Sequence, residues 1–168
     1  MPKAAPLLLL LSLAAAGCGP TVDLATNLEV KEVTTSWWDA GIVGGQNKLV
    51  PMITFRVTNH SDQKLDQLQI NILFRRINEP DVDWGSGFLI DPVPGGLAPG
   101  ATSGSFTVKS QLGYKGTDPR DVIMKSRFFI DAKVDVYAKY SSVQWKKVGE
   151  FPVTRTLTTP ESSTKPTA

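Results

Sequence analysis

Hydrophobic side chains recur at every second position through the middle of the chain, a spacing typical of β-strands with one buried face. In the clearest run, the apolar residues of one face are Phe128, Ile130, Ala132, Val134, Val136 and Ala138. The opposite face carries Asp131, Lys133, Asp135, Tyr137 and Lys139. Because alternate side chains point to opposite faces of a strand, we expect this second set to meet solvent. The run therefore predicts a half-buried strand.

Two earlier runs show the same alternation. Their inward residues are Ile53, Phe55 and Val57 in the first, and Leu68, Ile70, Ile72 and Phe74 in the second. Between them lies Asn59-His60-Ser61-Asp62, a segment of turn-forming side chains. The two runs therefore predict strands joined by a hairpin or by a connection between sheets.

The first and last strands each carry a predicted irregularity. The opening strand begins at Leu28 and changes phase near Glu32, as a β-bulge would cause. The last strand covers residues 143–157, with a second bulge at Gly149. Pro152 has no N–H to donate, which favours an edge position for that strand.

The remaining pattern defines the fold class. Phe106 and Val108 mark one more strand, and Asp118-Pro119-Arg120-Asp121 favours a single short helical turn. About seven strands with closely spaced turns and no long helix predict an all-β protein, an immunoglobulin-like β-sandwich. The paired cysteines and intervening tryptophan of antibody domains are absent, since the chain has one cysteine.

That cysteine, Cys18, follows an N-terminal segment with a different pattern. Lys3 precedes an apolar run from Ala4 to Ala16, which is too short to span a bilayer comfortably and is typical of an export signal. The residues Leu-Ser-Leu-Ala-Ala-Ala-Gly-Cys ending at Cys18 resemble the lipobox of bacterial lipoproteins. This resemblance implies cleavage before Cys18 and a diacylglycerol on its thiol. The alternative is an ordinary secretory signal with an incidental cysteine.

These observations divide the chain into four parts. Residues 1–17 form the predicted lipoprotein signal peptide, and residues 18–27 form the lipidated N-terminus and a tether. Residues 28–157 form the predicted sandwich. Residues 158–168 are predicted to be a disordered tail, because Thr, Ser and Pro dominate there and no aliphatic side chain follows Thr158 except the final alanine.

A second resemblance concerns the folded part. The strand ending in the turn at residues 57–62, the strand-end aromatic in Ile72-Leu73-Phe74, and Leu97-Ala98-Pro99-Gly100 followed by Phe106 resemble small envelope domains of the FxLYD type. The likeness covers about residues 28–108, and this chain reads Leu73-Phe74-Arg75-Arg76 at the motif position. It implies an immunoglobulin-like envelope domain and supplies no catalytic residue.

The charge of the chain limits its possible partners, and its cysteine content limits how it can be stabilised. The formal net charge is +2 and falls to +1 when Lys3 leaves with the leader, and the charges are interspersed. We therefore expect no nucleic-acid partner. An exported domain whose single cysteine is lipidated must be stable without a disulfide.

Candidate chemistry outside the leader is sparse. His60 is the one histidine and lies in a turn, and Ser86 lies in Gly85-Ser86-Gly87 without the spacing of a nucleophile elbow. Glu79, Asp81 and Asp83 share one predicted loop that could surround Ca²⁺, although a charged connection between strands is the simpler interpretation. We expect no enzyme activity, no metal and no cofactor.

Tryptophans are the most suggestive side chains for binding. Trp37 and Trp38 are adjacent, so on a strand one ring faces inward and the other outward. Trp84 lies beside glycines in a predicted loop, and Trp145 alternates with lysines on a predicted strand. We take Trp38, Trp84 and Trp145 as possible binding residues, and packing at the rim of the core is the alternative.

Together these features predict a lipid-anchored protein of the bacterial cell envelope that acts as a non-catalytic interaction or structural module. Its partners would be the membrane, through the lipid on Cys18, and an envelope protein or a glycan. The alternative is a glycan-binding sandwich that uses the three tryptophans. Because Gly19 rather than Asp follows Cys18, the lipoprotein resemblance favours the outer membrane, facing the periplasm.

Overall fold

The computed structural model describes residues 21–141 and 143–160. The predicted leader, Cys18 and residues 161–168 of the predicted tail lie outside the described residues. Nine strands and two short helices are defined in the described part. In chain order they are α1 (Leu24–Asn27), β1 (Leu28–Val43), β2 (Gln46–Asn59), β3 (Gln69–Arg76), β4 (Glu79–Ile90), β5 (Phe106–Lys109), β6 (Tyr114–Gly116), α2 (Arg120–Lys125), β7 (Ala132–Lys139), β8 (Lys146–Pro152) and β9 (Leu157–Thr158).

The strands form two packed sheets, which confirms the predicted all-β sandwich. One sheet has the order β5-β2-β1-β9, and β6 also pairs with β2. The other has the order β4-β3-β7-β8. Placing β1, β2 and β5 in one sheet and β4, β3, β7 and β8 in the other is the strand distribution of an immunoglobulin-like sandwich. The turn at residues 59–62 accordingly begins a connection between sheets and does not close a hairpin.

The core lies where the alternation predicted it. On β2 and β3 the inward side chains are fully buried, and the same holds on β7 from Ala132 to Ala138. The alternation does not extend back to Phe128, which is exposed while Phe129 is buried. A turn explains the change of phase, because the Phe129 N–H donates to the Ser126 carbonyl oxygen and β7 begins only at Ala132.

Both predicted bulges are present. The pairing of β1 with β2 slips by one residue between Lys31 and Thr34, and Glu32 has a φ of 51°. The pairing of β7 with β8 shifts between Val136, opposite Gly149, and Tyr137, opposite Lys147. Pro152 lies on β8, an edge strand, as predicted.

Three predictions about the elements are wrong. The last strand is two strands, because the chain leaves β8 after Pro152 and crosses to the other sheet, where β9 runs parallel to β1. The acidic segment Glu79–Asp83 and Trp84 belong to strand β4 and not to a loop. A second helical turn, α1, is present in addition to the predicted turn at α2.

The ends of the sandwich also differ from their predicted boundaries. Val22 and Leu24, assigned to the tether, are buried in the main core, and the Asp23 side chain caps α1 by accepting the Ala25 N–H. Thr158, assigned to the tail, pairs with Trp38, and its hydroxyl donates to the Ser36 hydroxyl at 2.8 Å. The packed chain therefore begins by residue 22 and includes Thr158.

Candidate binding surfaces

An exposed apolar patch lies on the outer face of the four-stranded sheet. It consists of Phe88, Ile90 and Trp145, which are 49%, 71% and 37% exposed, and we call it the sheet-face patch. The rings of Phe88 and Trp145 lie 5.7 Å apart between centroids. The Lys139 ammonium lies 5.1 Å from the Trp145 ring centroid, within the range of a cation–π contact.

The register of β4 explains why this patch faces outward. Gly87 faces the other sheet so closely that an added Cβ would lie 2.2 Å from Cγ1 of Val108, and Leu89 packs against the main core. Alternation then directs Phe88 and Ile90 to the opposite face. Phe88 pairs with Asn71 of β3 and Ile90 pairs with Gln69, so two polar residues of β3 border the patch.

The N-terminal segment joins the sandwich beside this patch. The Val22 N–H donates to the Tyr140 hydroxyl oxygen at 2.6 Å. A cavity of about 320 Å³ is lined on one side by the segment from Thr21 to Leu24 and on the other by Val143, Gln144 and Lys146. Val143 and Gln144 precede Trp145 in the connection between β7 and β8, and Lys146 follows it as the first residue of β8.

The other half of the same sheet face is an ion-pair network around a buried carboxylate. Asp135 has no exposed surface, although its alternation placed it toward solvent. Arg75 Nη1 lies 2.7 Å from its Oδ2 and Lys147 Nζ lies 2.8 Å from its Oδ1. The prediction that this position meets solvent is wrong, because the two long basic side chains from neighbouring strands cover the carboxylate.

The ion-pair network shifts the pKa values of its members in the direction expected for paired charges. The hydrogen bond with Asp135, followed by the one with Glu150, raises the pKa of Lys147. Hydrogen bonds from Lys147 and Lys133 lower the pKa of Glu150 to about 2. Lys133 Nζ lies 3.1 Å from Glu150 Oε2, so Lys133 is also part of the network and not an isolated solvent-facing residue.

A second core of aromatic rings fills the opposite end of the sandwich. Trp37, Trp84, Tyr114 and Phe129 form this aromatic end cluster, and Trp37 lies 4.7 Å from Phe129 and 5.8 Å from Trp84 between centroids. Its edges are closed by guanidinium groups, since Arg76 lies 4.7 Å from the Trp84 ring and Arg155 lies 4.9 Å from the Phe129 ring. These rings therefore pack against one another and close this end of the sandwich.

A groove of about 410 Å³ opens next to the aromatic end cluster. It is lined by Asp121, Met124, Lys125, Arg155 and Leu157. Its cations already have partners, because Lys125 lies 3.4 Å from Asp121 and Arg155 Nε lies 2.5 Å from Asp131 Oδ1. The hydrogen bond with Asp131 raises the pKa of Arg155. Met124 and Leu157 thus give the groove an apolar surface, and the charged side chains around it are paired with opposite charges.

The structure separates the three tryptophans that the sequence selected. Trp145 is exposed on the four-stranded sheet, whereas Trp84 is 8% exposed and belongs to the aromatic end cluster. Trp38 is half-buried on the five-stranded sheet, with the Lys109 ammonium 3.2 Å from its ring centroid. The expectation that Trp84 lies in a loop and offers a surface is wrong, and the three rings do not share one surface.

The weaker candidates have ordinary partners. His60 Nε2 lies 2.7 Å from Glu29 Oε2, and Ser86 makes backbone hydrogen bonds to the Gln111 side chain. Glu79 lies 3.3 Å from Arg76 and Asp83 lies 3.0 Å from Arg75, so these two carboxylates of the acidic segment pair with strand β3. Within residues 21–141 and 143–160, no group of three or more His, Cys, Asp or Glu side chains is placed to hold a metal ion.

Sequence reasoning missed Phe88 and Ile90, the larger part of the sheet-face patch. Their alternation with Gly87 and Leu89 is a strand signal, but glycines on the inward face remove most of the apolar periodicity that would reveal it. The carboxylate of Asp135 was missed for a different reason, because its coverage comes from Arg75 and Lys147, which lie on other strands.

Comparisons with known proteins do not indicate a function for this chain. The sequence matches no protein-family model and no curated protein. Among solved structures, the chain is similar to the "Putative ApaA Protein from Bordetella pertussis", with 16% identity, a TM-score of 0.46, and coverage of 77% of this chain and 94% of that chain. It is also similar to the X-ray structure of a Northeast Structural Genomics Consortium target, with 12% identity, a TM-score of 0.46, and coverage of 78% and 89%.

Proposed function

We propose that this chain is a lipid-anchored protein of the bacterial cell envelope, in which Cys18 carries the lipid and the sandwich is a non-catalytic interaction or structural module. The observation that carries the proposal is the small-residue triplet Ala15-Ala16-Gly17 before the unique cysteine, at the end of an apolar run. The address that follows is the outer membrane, with the sandwich facing the periplasm.

The sandwich has two properties that suit such a protein. Its core of aliphatic and aromatic side chains supplies stability without a disulfide, as an exported chain with one lipidated cysteine requires. Packing begins at Val22, so the sandwich would work close to its anchor. Among the described residues, no helix is long and apolar enough to cross a membrane.

Glycan binding by the three tryptophans is the weaker candidate. A row of exposed rings would have favoured it, because rings on one surface can stack on successive sugars. The described structure instead gives Trp38 and Trp145 different sheets and buries Trp84. The binding role that remains for a tryptophan is that of Trp145 with its neighbours on β4.

The lipid anchor is tested by Cys18→Ser in the full chain expressed in its native envelope. The variant should lose incorporation of labelled fatty acid and leave the membrane fraction, or stall with its leader uncleaved, because a serine hydroxyl cannot replace the acceptor thiol. The checks are the intact mass of the purified protein and separation of membrane from soluble fractions. Density separation of the two membranes then tests the outer-membrane address.

Thr21→Ala is the matched control, a similarly small change on the mature side of the proposed cleavage position. It should be acylated and retained like the unaltered chain. If Cys18→Ser matures normally and remains on the membrane, the lipoprotein proposal is wrong.

A further inference from the structure

The position of the tether fixes which part of the sandwich can reach a membrane. Cys18 precedes Thr21 by three residues, and at no more than about 3.6 Å per residue the chain between them spans at most about 11 Å. Thr21 lines the same cavity as Val143, Gln144 and Lys146, and the N–H of the next residue donates to the Tyr140 hydroxyl. A lipid on Cys18 would therefore hold the β7–β8 connection close to the lipid headgroups.

The side chains exposed at that place suit a bilayer interface. Trp145 follows Gln144 directly, and Phe88 and Ile90 extend its apolar surface onto β4. Tryptophan is enriched at membrane–water interfaces, where its ring has an apolar body and its N–H reaches water. Lys139 beside the ring can place its stem along the apolar surface and its ammonium group among the headgroups.

We propose that the sheet-face patch, Phe88, Ile90 and Trp145, lies on the membrane surface and fixes the orientation of the anchored sandwich. This inference rests on the proposed lipidation of Cys18. The tether supplies a high effective concentration of membrane, so a patch of three side chains need not bind lipid strongly by itself. The aromatic end cluster, at the opposite end of the sandwich, is then the end farther from the anchor.

The contact is apolar more than electrostatic. Asp91 follows Ile90 directly, and Asp66, paired with Lys64, lies next to the β7–β8 connection through a hydrogen bond from the Ser141 N–H to its carbonyl oxygen. Asp91 counterbalances the charge of Lys139 and Asp66 that of Lys64, so the orientation should depend little on anionic lipid or on salt. Dependence on either would have been expected for a polybasic surface.

The test uses the lipidated full-length product, purified in detergent and reconstituted into phosphatidylcholine vesicles with brominated acyl chains. Bromine quenches tryptophan fluorescence at short range. Trp37 and Trp84 are buried in the protein, so most quenching should come from Trp145. Trp145→Phe should lose most of the quenching, whereas Trp38→Phe, on the other sheet, should retain it.

A second measurement needs no substitution. Hydrogen exchange of the unaltered lipidated protein should slow in residues 88–91 and 143–146 when vesicles replace detergent. Retained quenching in Trp145→Phe, or unchanged exchange in both segments on vesicles, would overturn the proposal. Protection of the patch by an added envelope glycan or protein, with no lipid quenching of Trp145, would also overturn it and assign the patch to that partner.

The two proposals fail in different ways. An intact mass without the added lipid, measured before reconstitution, would contradict the lipidation of Cys18. A lipidated, vesicle-bound protein whose Trp145 is not quenched would contradict only the orientation proposed here.

Discussion

At the scale of single residues, side chains from neighbouring strands determine whether an outward-facing residue is buried or exposed. Asp135 occupies an outward position of β7, yet it is fully buried because Arg75 and Lys147 lie over it. Removing one partner of such a buried ion pair is expected to cost more than the pair itself contributes, since an uncompensated charge remains. The outer face of the four-stranded sheet thus combines a charged half with the apolar sheet-face patch.

Glu150 makes this network sensitive to acid. Hydrogen bonds from Lys147 and Lys133 lower its pKa from 4.5 to about 2. A carboxylate with a lower pKa in the folded state adds stability above its ordinary pKa and loses that contribution as the pH falls through the folded value. We expect Glu150→Gln to be less stable than the unaltered chain near neutral pH, with a difference that shrinks between about pH 4.5 and pH 2.

Urea unfolding midpoints of both chains across this pH range measure the effect. Added salt should reduce the difference near neutral pH, because Glu150 is exposed and its pairing is screened. A difference that stays constant from neutral pH to pH 2 would show that the ion pairs of Glu150 do not cause it.

At the scale of elements, the period of two identified the strands whose one face is fully buried. The inward side chains of β2, β3 and β7 are buried, although β2 and β7 bury part of the other face as well. The phase change near Glu32 located a real bulge. β4 was missed because its inward face includes glycines, and the separation of β8 from β9 was missed because both halves carry inward hydrophobic residues. Local alternation identifies a buried face but not the sheet to which that face belongs.

Val134→Asp tests the register of β7. Val134 is fully buried between Phe74 of β3 and Phe151 of β8, so an aspartate there would be a buried charge without a partner. We expect a loss of about 3 to 5 kcal/mol in the free energy of unfolding, or failure to fold. Thermal or urea denaturation of the purified variant measures the loss.

The matched control is the same substitution at an exposed valine. Val43 is 41% exposed at the end of β1, and Val43→Asp should change the free energy of unfolding by no more than about 0.5 kcal/mol. Lys133, the outward neighbour of Val134, is a poorer control site, because Lys133→Asp would place a second carboxylate beside Glu150. Equal losses in Val134→Asp and Val43→Asp would contradict the register.

At the scale of the whole molecule, two cores share the same long strands. The main core lies between the sheets near the tether, and the aromatic end cluster fills the far end. Strands β1 and β7 contribute to both cores, since Trp37 of β1 and Ala132 of β7 belong to the second one. The sequence does not predict that the hydrophobic residues form two cores, because the residues around the aromatic end cluster come singly or in pairs from several separate segments. Of the sheet-face patch, the sequence predicts Trp145 alone, because the inward glycines of β4 hide the alternation that would reveal Phe88 and Ile90.

Because β1, β2 and β7 run through both cores, we expect the sandwich to unfold in one cooperative step. Trp84→Ala should therefore lower the stability of the entire domain by about 3 to 5 kcal/mol, since it removes a buried ring that contacts Trp37 and Tyr114. Phe128→Ala, at an aromatic residue 73% exposed near the same end, should change it by less than about 0.5 kcal/mol. Coincident denaturation curves from far-ultraviolet circular dichroism and from tryptophan fluorescence would show the single step. A Trp84→Ala variant that loses the fluorescence transition early while its strands melt at the original temperature would show instead that the aromatic end cluster unfolds on its own.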